Sequence, residues 1–147
     1  SIDVTDKLAL LSLCYVADTD EKAQEEGKAL MWYLRGYVPN EFWTPHGYAP
    51  AKDILKALKP DDTSSFTGLR KVSWEQLQEM GIVIAGSPDT VIKKIQYLYD
   101  RVGGLGHLML MCQAGFLSAE KTRRSLELLA KEVYPAVRHL GAKVTSA

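Results

Sequence analysis

Cysteine, histidine and net charge are all scarce here: two cysteines and three histidines among 147 residues, with 18 basic side chains balanced by 18 acidic ones. The charge balance gives no overall field to favour nucleic acid or an anionic membrane. A zinc site needs four close ligands, and no histidine stands near Cys14 or Cys112 at a suitable spacing, so no metal is expected. Both cysteines lie in apolar, strand-like runs. They read as buried free thiols of a reducing cytosol, with a disulfide as the alternative. No apolar run approaches the ~20 residues of a membrane span. Ser1-Ile2-Asp3 lacks the basic start and apolar middle of a signal peptide, which points to the cytoplasm. The first residue is not Met, which reads as a chain processed or cut from something longer. Internal repeats and low-complexity tracts are missing too. What remains, 46% hydrophobic and 24% charged, reads as one soluble, globular domain.

Leu8–Ala17 is a continuous apolar run. A run apolar on both faces suits a buried parallel strand. Asp18-Thr19-Asp20 follows as a helix start, with Thr19 or Asp18 as N-cap. Ala23, Gly27, Leu30 and Leu34 then recur at helical spacing, with Glu21, Lys22, Glu25, Glu26 and Lys28 on the opposite face. From about 37 to 72 the chain changes character: Pro39, Pro45, Pro50 and Pro60 punctuate it, and one short helix fits at Ala51–Leu58. The stretch Trp32–Tyr48 holds six of the thirteen aromatics, so it should pack on a core, a partner subunit or a ligand. Ser73 and Gln76 form a capping box for a helix to Met80, with Gly81 just past its end. Ile82–Ala85 is a short strand. Val91, Ile92, Ile95, Leu98, Tyr99 and Val102 make a helical stripe ended by Gly103-Gly104. Leu108–Met111 reads as a short buried strand. Ser118 caps a last helix with the stripe Thr122, Leu126, Leu129, Ala130, Val133 and Val137, which Pro135 ends or kinks. This β-α-insert-α-β-α order implies parallel strands with helical crossovers. So small a sheet cannot cover both its faces well.

Gly86-Ser87-Pro88-Asp89 admits two readings, a phosphate cradle or a helix start. Ser87 fits the N-cap and Pro88 the first helical position, where its missing N–H costs nothing. Asp89 complements the helix dipole and would repel a phosphate. A cradle would offer several glycine N–H groups and often a basic side chain. The residues favour the helix start.

Three blocks carry a family resemblance: YVADTDEKAQEEGKALMWYL (15–34), AGSPDTVIKKIQYLYDRVGGLGHLMLM (85–111) and EKTRRSLELLAKEVYPAVR (120–138). In this order they resemble the C-terminal part of luciferase-like flavin-dependent monooxygenases. The resemblance implies an α/β fold, the C-terminal third of a (β/α)8 TIM barrel, mostly helical with two or three short parallel strands. The segment 1–147 would be one partial domain, with an insert or lid at about 37–72. A whole barrel takes ~250 residues. By family order Leu8–Ala17 would be the seventh strand and His107–Met111 the eighth. The implied cofactor is reduced FMN used with oxygen, or the deazaflavin F420 in one branch. Family residues that hold the flavin phosphate precede the seventh strand, so the intact protein would be an enzyme and this chain alone inactive.

Barrel active sites lie at the C-terminal ends of strands. That end carries Asp18 and Thr19 after one strand and Cys112, Gln113, Ala114, Gly115 and Phe116 after another. Gln113, Gly115, Phe116 and Arg70 are the candidate cofactor contacts: Gln113 to an isoalloxazine edge, Phe116 on its ring, Arg70 to the phosphate or an anionic substrate. The plainer reading is a polar loop and a core aromatic. Trp43, His46, Tyr48 and Phe66 are the candidate substrate contacts of a lid that excludes water; loop packing is the alternative. No residue is assigned a catalytic role. Cys112 reads as inert filling, and His107 as structural, at the strand end away from the site. His139, close to the chain's end, says little. Leu11 and Leu13 stand where alkanesulfonate-type members carry Arg and His, which argues for a more apolar substrate.

Two classes of function follow. One is an oxidoreductase, a monooxygenase acting on a small organic substrate. The other is a non-catalytic fragment that self-associates or binds a partner. Apolar residues that would face missing strands predict a homo-oligomer or association with an N-terminal part.

Overall fold

The computed structural model describes residues 7–35 and 71–140. The Ala51–Leu58 helix, and all of the 37–72 insert except Lys71 and Val72, fall outside the described residues. Three strands, β1 (Ala9–Val16), β2 (Val83–Gly86) and β3 (His107–Met111), form one sheet in the order β2-β1-β3. All pairing is parallel: Leu13–Val16 lie opposite Val83–Gly86, and Ala9–Leu13 lie opposite His107–Met111. Eight residues of β1 face four of β2, so the free N-terminal half of β1 finds its partner in β3. The first and last strands are adjacent. The middle strand in sequence sits on β1's other side.

The helices follow from local chemistry. Helix α1 (Asp20–Gly27) starts at Thr19, whose Oγ1 accepts from the Lys22 N–H; Asp18 is not the cap. A 3-10 turn, Lys28–Leu30, carries it into α2 (Met31–Arg35). Helix α3 (Trp74–Glu79) has the full capping box: Gln76 N–H donates to Ser73 Oγ, and Ser73 N–H donates to Gln76 Oε1. Gly81 follows at φ +76, a left-handed end that suits glycine. Helix α4 (Pro88–Arg101) begins with Pro88 in its first turn and buries Val91, Ile95 and Leu98. Ser87 holds the cap position, yet its side chain does not bond the helix.

The C-terminal half of β1 is covered on both faces. On one, Leu13, Tyr15, Val83 and Ala85 meet Ala23, Leu30, Leu34, Trp74 and Leu77. On the other, Cys14, Val16 and Ile84 meet Val91, Ile95, Leu98, Leu128 and Val133. Each fully buried Leu or Val contributes ~1.5–3 kcal/mol. The expectation of poor coverage therefore fails for this half, because helices pack from both sides. It holds for the other half, where Leu11 is 53% and its cross-strand partner Met109 51% exposed. Strand β3 is correspondingly half-buried rather than buried. It has a strand on one side only.

The last helix corrects its expected stripe. Helix α5 (Ala119–Leu128), capped by Ser118, passes through a π turn at Leu129–Val133 into α6 (Tyr134–Val137) and a 3-10 turn. Its fully buried residues are Ser125, Leu128 and Val133, while Leu126 and Ala130 are exposed. A π turn inserts one residue into the helical phase. The stripe is right after the turn, at Val133 and Val137, and one residue late before it. Pro135 explains the wide turn, since it has no N–H to give and crowds the carbonyl four residues back.

Candidate functional site

In open parallel sheets ligands bind beyond the carboxyl ends of the strands, where the strand order changes direction. Here that point lies between β1 and β3. A cleft of about 240 Å³ occupies it, lined by the end of β1 (Tyr15, Val16, Ala17, Asp18), by Lys22 and Glu26 of α1, and by the start of α5 from Ser118 to Arg124. Asp18, Lys22, Glu26, Lys121 and Arg124 are paired across it. Arg124 Nη2 donates to Asp18 Oδ1 at 2.5 Å, Lys22 lies 3.6 Å from Asp18, and Lys121 Nζ lies 2.9 Å from Glu26. Tyr15 Oη donates to Glu26 at 2.7 Å. The Arg124 guanidinium holds Asp18 below its ordinary range. Burial works to raise Glu26, but the Tyr15 hydroxyl and Lys121 outweigh it and hold it low. Burial, then the bond to Glu26, pushes the Tyr15 hydroxyl well above its ordinary range. The cleft thus holds two carboxylates, Asp18 and Glu26, kept ionised by their partners, and one phenol, Tyr15, kept protonated.

This cleft was missed because its residues read as a solvated helix face. The signal was present: Asp18, Lys22 and Glu26 recur every four residues, and Lys121 and Arg124 stand three apart, a spacing that aligns side chains on one helix face.

The Gly86-Ser87-Pro88-Asp89 question has a direct answer. The anion at the start of α4 comes from the chain itself. Ser87 N–H donates to Asp20 Oδ1 at 2.6 Å, and Thr90 Oγ1 donates to Asp20 Oδ2 at 2.9 Å. The bond from the Ser87 backbone is the main reason Asp20 titrates below its ordinary range. A Cβ on Gly86 would come within 2.6 Å of Thr90 and 3.0 Å of Asp20, so glycine leaves room for this internal carboxylate. A phosphate would have to displace it.

Of the candidates after β3, Gln113 is exposed and lines a shallow groove with Ala119, Thr122 and Arg123 of α5. Phe116 is 89% exposed and meets Trp32 of α2 edge to face, ring centroids 6.3 Å apart. Gly115 has φ +58, and a Cβ there would lie 2.6 Å from Trp32 Cβ. Gly115 and Phe116 therefore converge on Trp32, while Gln113 turns to α5. The expected core-aromatic role for Phe116 does not hold, since it stands in solvent. Arg70, Trp43, His46, Tyr48 and Phe66 lie outside the described residues. His107 opens β3 at the far end from this rim. Cys14 is buried and Cys112, read as buried, is half-buried; both are free thiols. Among the described residues no cluster of His, Cys, Asp and Glu is arranged to hold a metal, and no helix is long and apolar enough to cross a membrane.

No family model matches the chain. Two curated proteins are similar to it. The chain is 38% identical over 128 residues to 3,6-diketocamphane 1,6-monooxygenase of Pseudomonas putida, covering 84% of this chain and 30% of that protein. It is 27% identical over 126 residues to limonene 1,2-monooxygenase of Rhodococcus erythropolis, covering 86% of this chain and 27% of that protein. Over most of its own length the chain is therefore similar to about a third of each of two monooxygenases. In fold it is similar to the oxygenating constituent of 3,6-diketocamphane monooxygenase, a type II Baeyer-Villiger enzyme from P. putida solved in complex with FMN. That match has a TM-score of 0.53 at 23% identity, over 92% of this chain and 34% of that one. The chain spans less than a third of the length of these curated relatives. The small parallel sheet and its helices thus correspond in fold to about a third of a TIM-barrel structure.

Proposed function

We propose that this chain is the C-terminal third of a flavin-dependent monooxygenase that uses reduced FMN and oxygen on a small, fairly apolar organic substrate. The observation that carries the reading is the 38% identity to a diketocamphane monooxygenase, sustained over 84% of the chain. The apolar substrate is proposed from the relatives, whose names specify diketocamphane and limonene; Leu13 is buried in the core and Leu11 lies in the amino half of β1, so neither is placed against a substrate. When bound, reduced flavin would supply the electrons that activate oxygen for insertion into the substrate.

Among the described residues the fit to a flavin is partial. Phe116, backed by Trp32 and by the left-handed turn at Gly115, offers a flat apolar edge, and Gln113 offers an amide. The one helix start considered as a phosphate cradle is filled by Asp20. A chain without that cradle should bind FMN weakly and be inactive alone. FMN is the reading preferred over F420, because the FMN-bound structure is the better fold match. A cytoplasmic, oligomeric enzyme is part of the same proposal.

The test uses a longer protein containing this chain, supplied with reduced FMN by a flavin reductase and offered a cyclic terpenoid ketone. Oxygenated product by mass spectrometry is the expected result. Oxygen uptake no faster than that of free reduced FMN, with no product, would refute it.

The exposed Leu11–Met109 pair favours a second reading, a fragment that associates without chemistry. That reading predicts a size that rises with concentration and no quenching of FMN fluorescence by the longer protein.

A further inference from the structure

The only two cysteines of the chain come together from positions 98 residues apart. Strand pairing sets Leu13 opposite Met111, so the next residues, Cys14 in β1 and Cys112 just past the end of β3, are neighbours. Side chains alternate along a strand. Leu13 and Met111 accordingly join one core cluster, and Cys14 and Cys112 join the other. Both thiols sit in the same core cluster, and Cys112 Sγ donates to the Leu110 carbonyl at 3.7 Å. Neighbouring strands lie ~4.8 Å apart, inside the ~4.4–6.8 Å Cα range that a disulfide spans. Their surroundings differ: Cys14 is sealed, and Cys112 is partly open at the rim.

We propose that Cys14 and Cys112 form a reversible intramolecular disulfide on exposure to a hydroperoxide, with Cys112 as the attacking sulfur and Cys14 as the resolving one. The Cys112 thiolate attacks the outer peroxide oxygen, the O–O bond breaks, and the alkoxide leaves as the alcohol. Cys112 becomes a sulfenic acid, oxidised by two electrons. Cys14 sulfur then attacks Cys112 sulfur, the S–O bond breaks, and the hydroxyl departs as water with the Cys14 proton. Overall, two thiols and one hydroperoxide give a disulfide, an alcohol and water; an external dithiol reverses the change by exchange. The neighbouring Cys14 lowers the Cys112 thiol's pKa against the raising effect of its burial, while Cys112 and burial raise Cys14. These directions assign the two roles in the same order as the exposure does. The inference does not depend on flavin binding.

The test is intact-mass analysis after treatment with equimolar tert-butyl hydroperoxide. The expected product is a monomer lighter by two hydrogens, with both thiols lost to alkylation and recovered with dithiothreitol. Cys14→Ser should instead leave Cys112 carrying added oxygen, trapped by dimedone. Cys112→Ser should slow oxidation of Cys14 by at least about tenfold, because a sealed thiol reacts slowly. Wild-type chain gaining oxygen while Cys14 stays alkylatable would overturn the proposal, as would disulfide-linked dimers or a C112S variant oxidised at the wild-type rate. The wild-type mass alone decides the matter if either variant misfolds.

Discussion

Two hydroxyls on one helix should respond to deletion in opposite ways. Ser125 and Thr122 both lie in α5, three residues apart. Ser125 Oγ accepts from the Val16 N–H at 2.8 Å, and both residues are 1% exposed. Val16 sits where β1 ends, so Ser125 receives a backbone donor that water cannot reach. Ser125→Ala strands that donor, and an unmet buried N–H costs about 1–3 kcal/mol. For a chain of 147 residues each kcal/mol moves the melting midpoint by roughly 2–4 °C, giving a fall of roughly 2–12 °C. Thr122 Oγ1 is buried with no hydrogen-bond partner among the described residues. Thr122→Val keeps the shape and the β-branch while removing an unmet hydroxyl, so stability should hold or rise by about 1 kcal/mol. Urea unfolding followed by circular dichroism measures both, with unchanged slopes as the check on two-state behaviour. If Ser125→Ala shifts the midpoint no further than Thr122→Val does, the Val16–Ser125 bond has been misjudged.

Other outcomes are as specific. Gly115→Ala should lose about 1–3 kcal/mol, from a φ of +58 that disfavours a side chain and from the Cβ at 2.6 Å from Trp32; an unaltered tryptophan emission spectrum would contradict this. Ser73→Ala removes the capping box of α3 and should cost about 0.5–2 kcal/mol in the same urea assay. Asp18, Asp20 and Glu26 all titrate below their ordinary values in the folded chain. Their contribution is whole above about pH 4–5 and is lost as pH falls through the depressed folded values. Asp20→Asn should therefore flatten the acid limb of a stability-against-pH curve, and a limb as steep as that of the parent chain would show that Asp20 is not the anion anchoring α4.

The parts legible in the sequence were those that local chemistry decides. The Ser73-x-x-Gln76 box, Pro88 in the first turn of α4 and Gly103-Gly104 after it each appear as read. The run Leu8–Ala17 did signal a parallel strand. Its unbroken apolarity could not say that only the half from Ser12 onward would be covered, because coverage is set by helices far away in sequence. The last helix was misphased for a related reason: a π turn changes the period within one helix, and a fixed-period stripe has no means to represent it. Long-range polar geometry was the least legible. Nothing near Asp20 announces that it will bind Ser87 and Thr90, some 70 residues on, and the rim cleft draws Asp18 and Arg124 from opposite ends of the described chain.

The two ends of β1 make opposite demands. In barrels and open parallel sheets the carboxyl end carries the site and the amino end carries stability. Here the carboxyl end is sheathed on both faces and bears the ionic cleft, while the amino end exposes Leu8, Leu11 and Met109. Such an apolar seam on the side meant for stability is what a sheet lacking its next neighbours would show. Leu11→Thr with Met109→Thr should then lower self-association of the isolated chain by sedimentation while leaving the distant Tyr15–Glu26 bond and its acid titration unchanged. Loss of the cleft without loss of association would mean that the seam is not the surface that holds copies together.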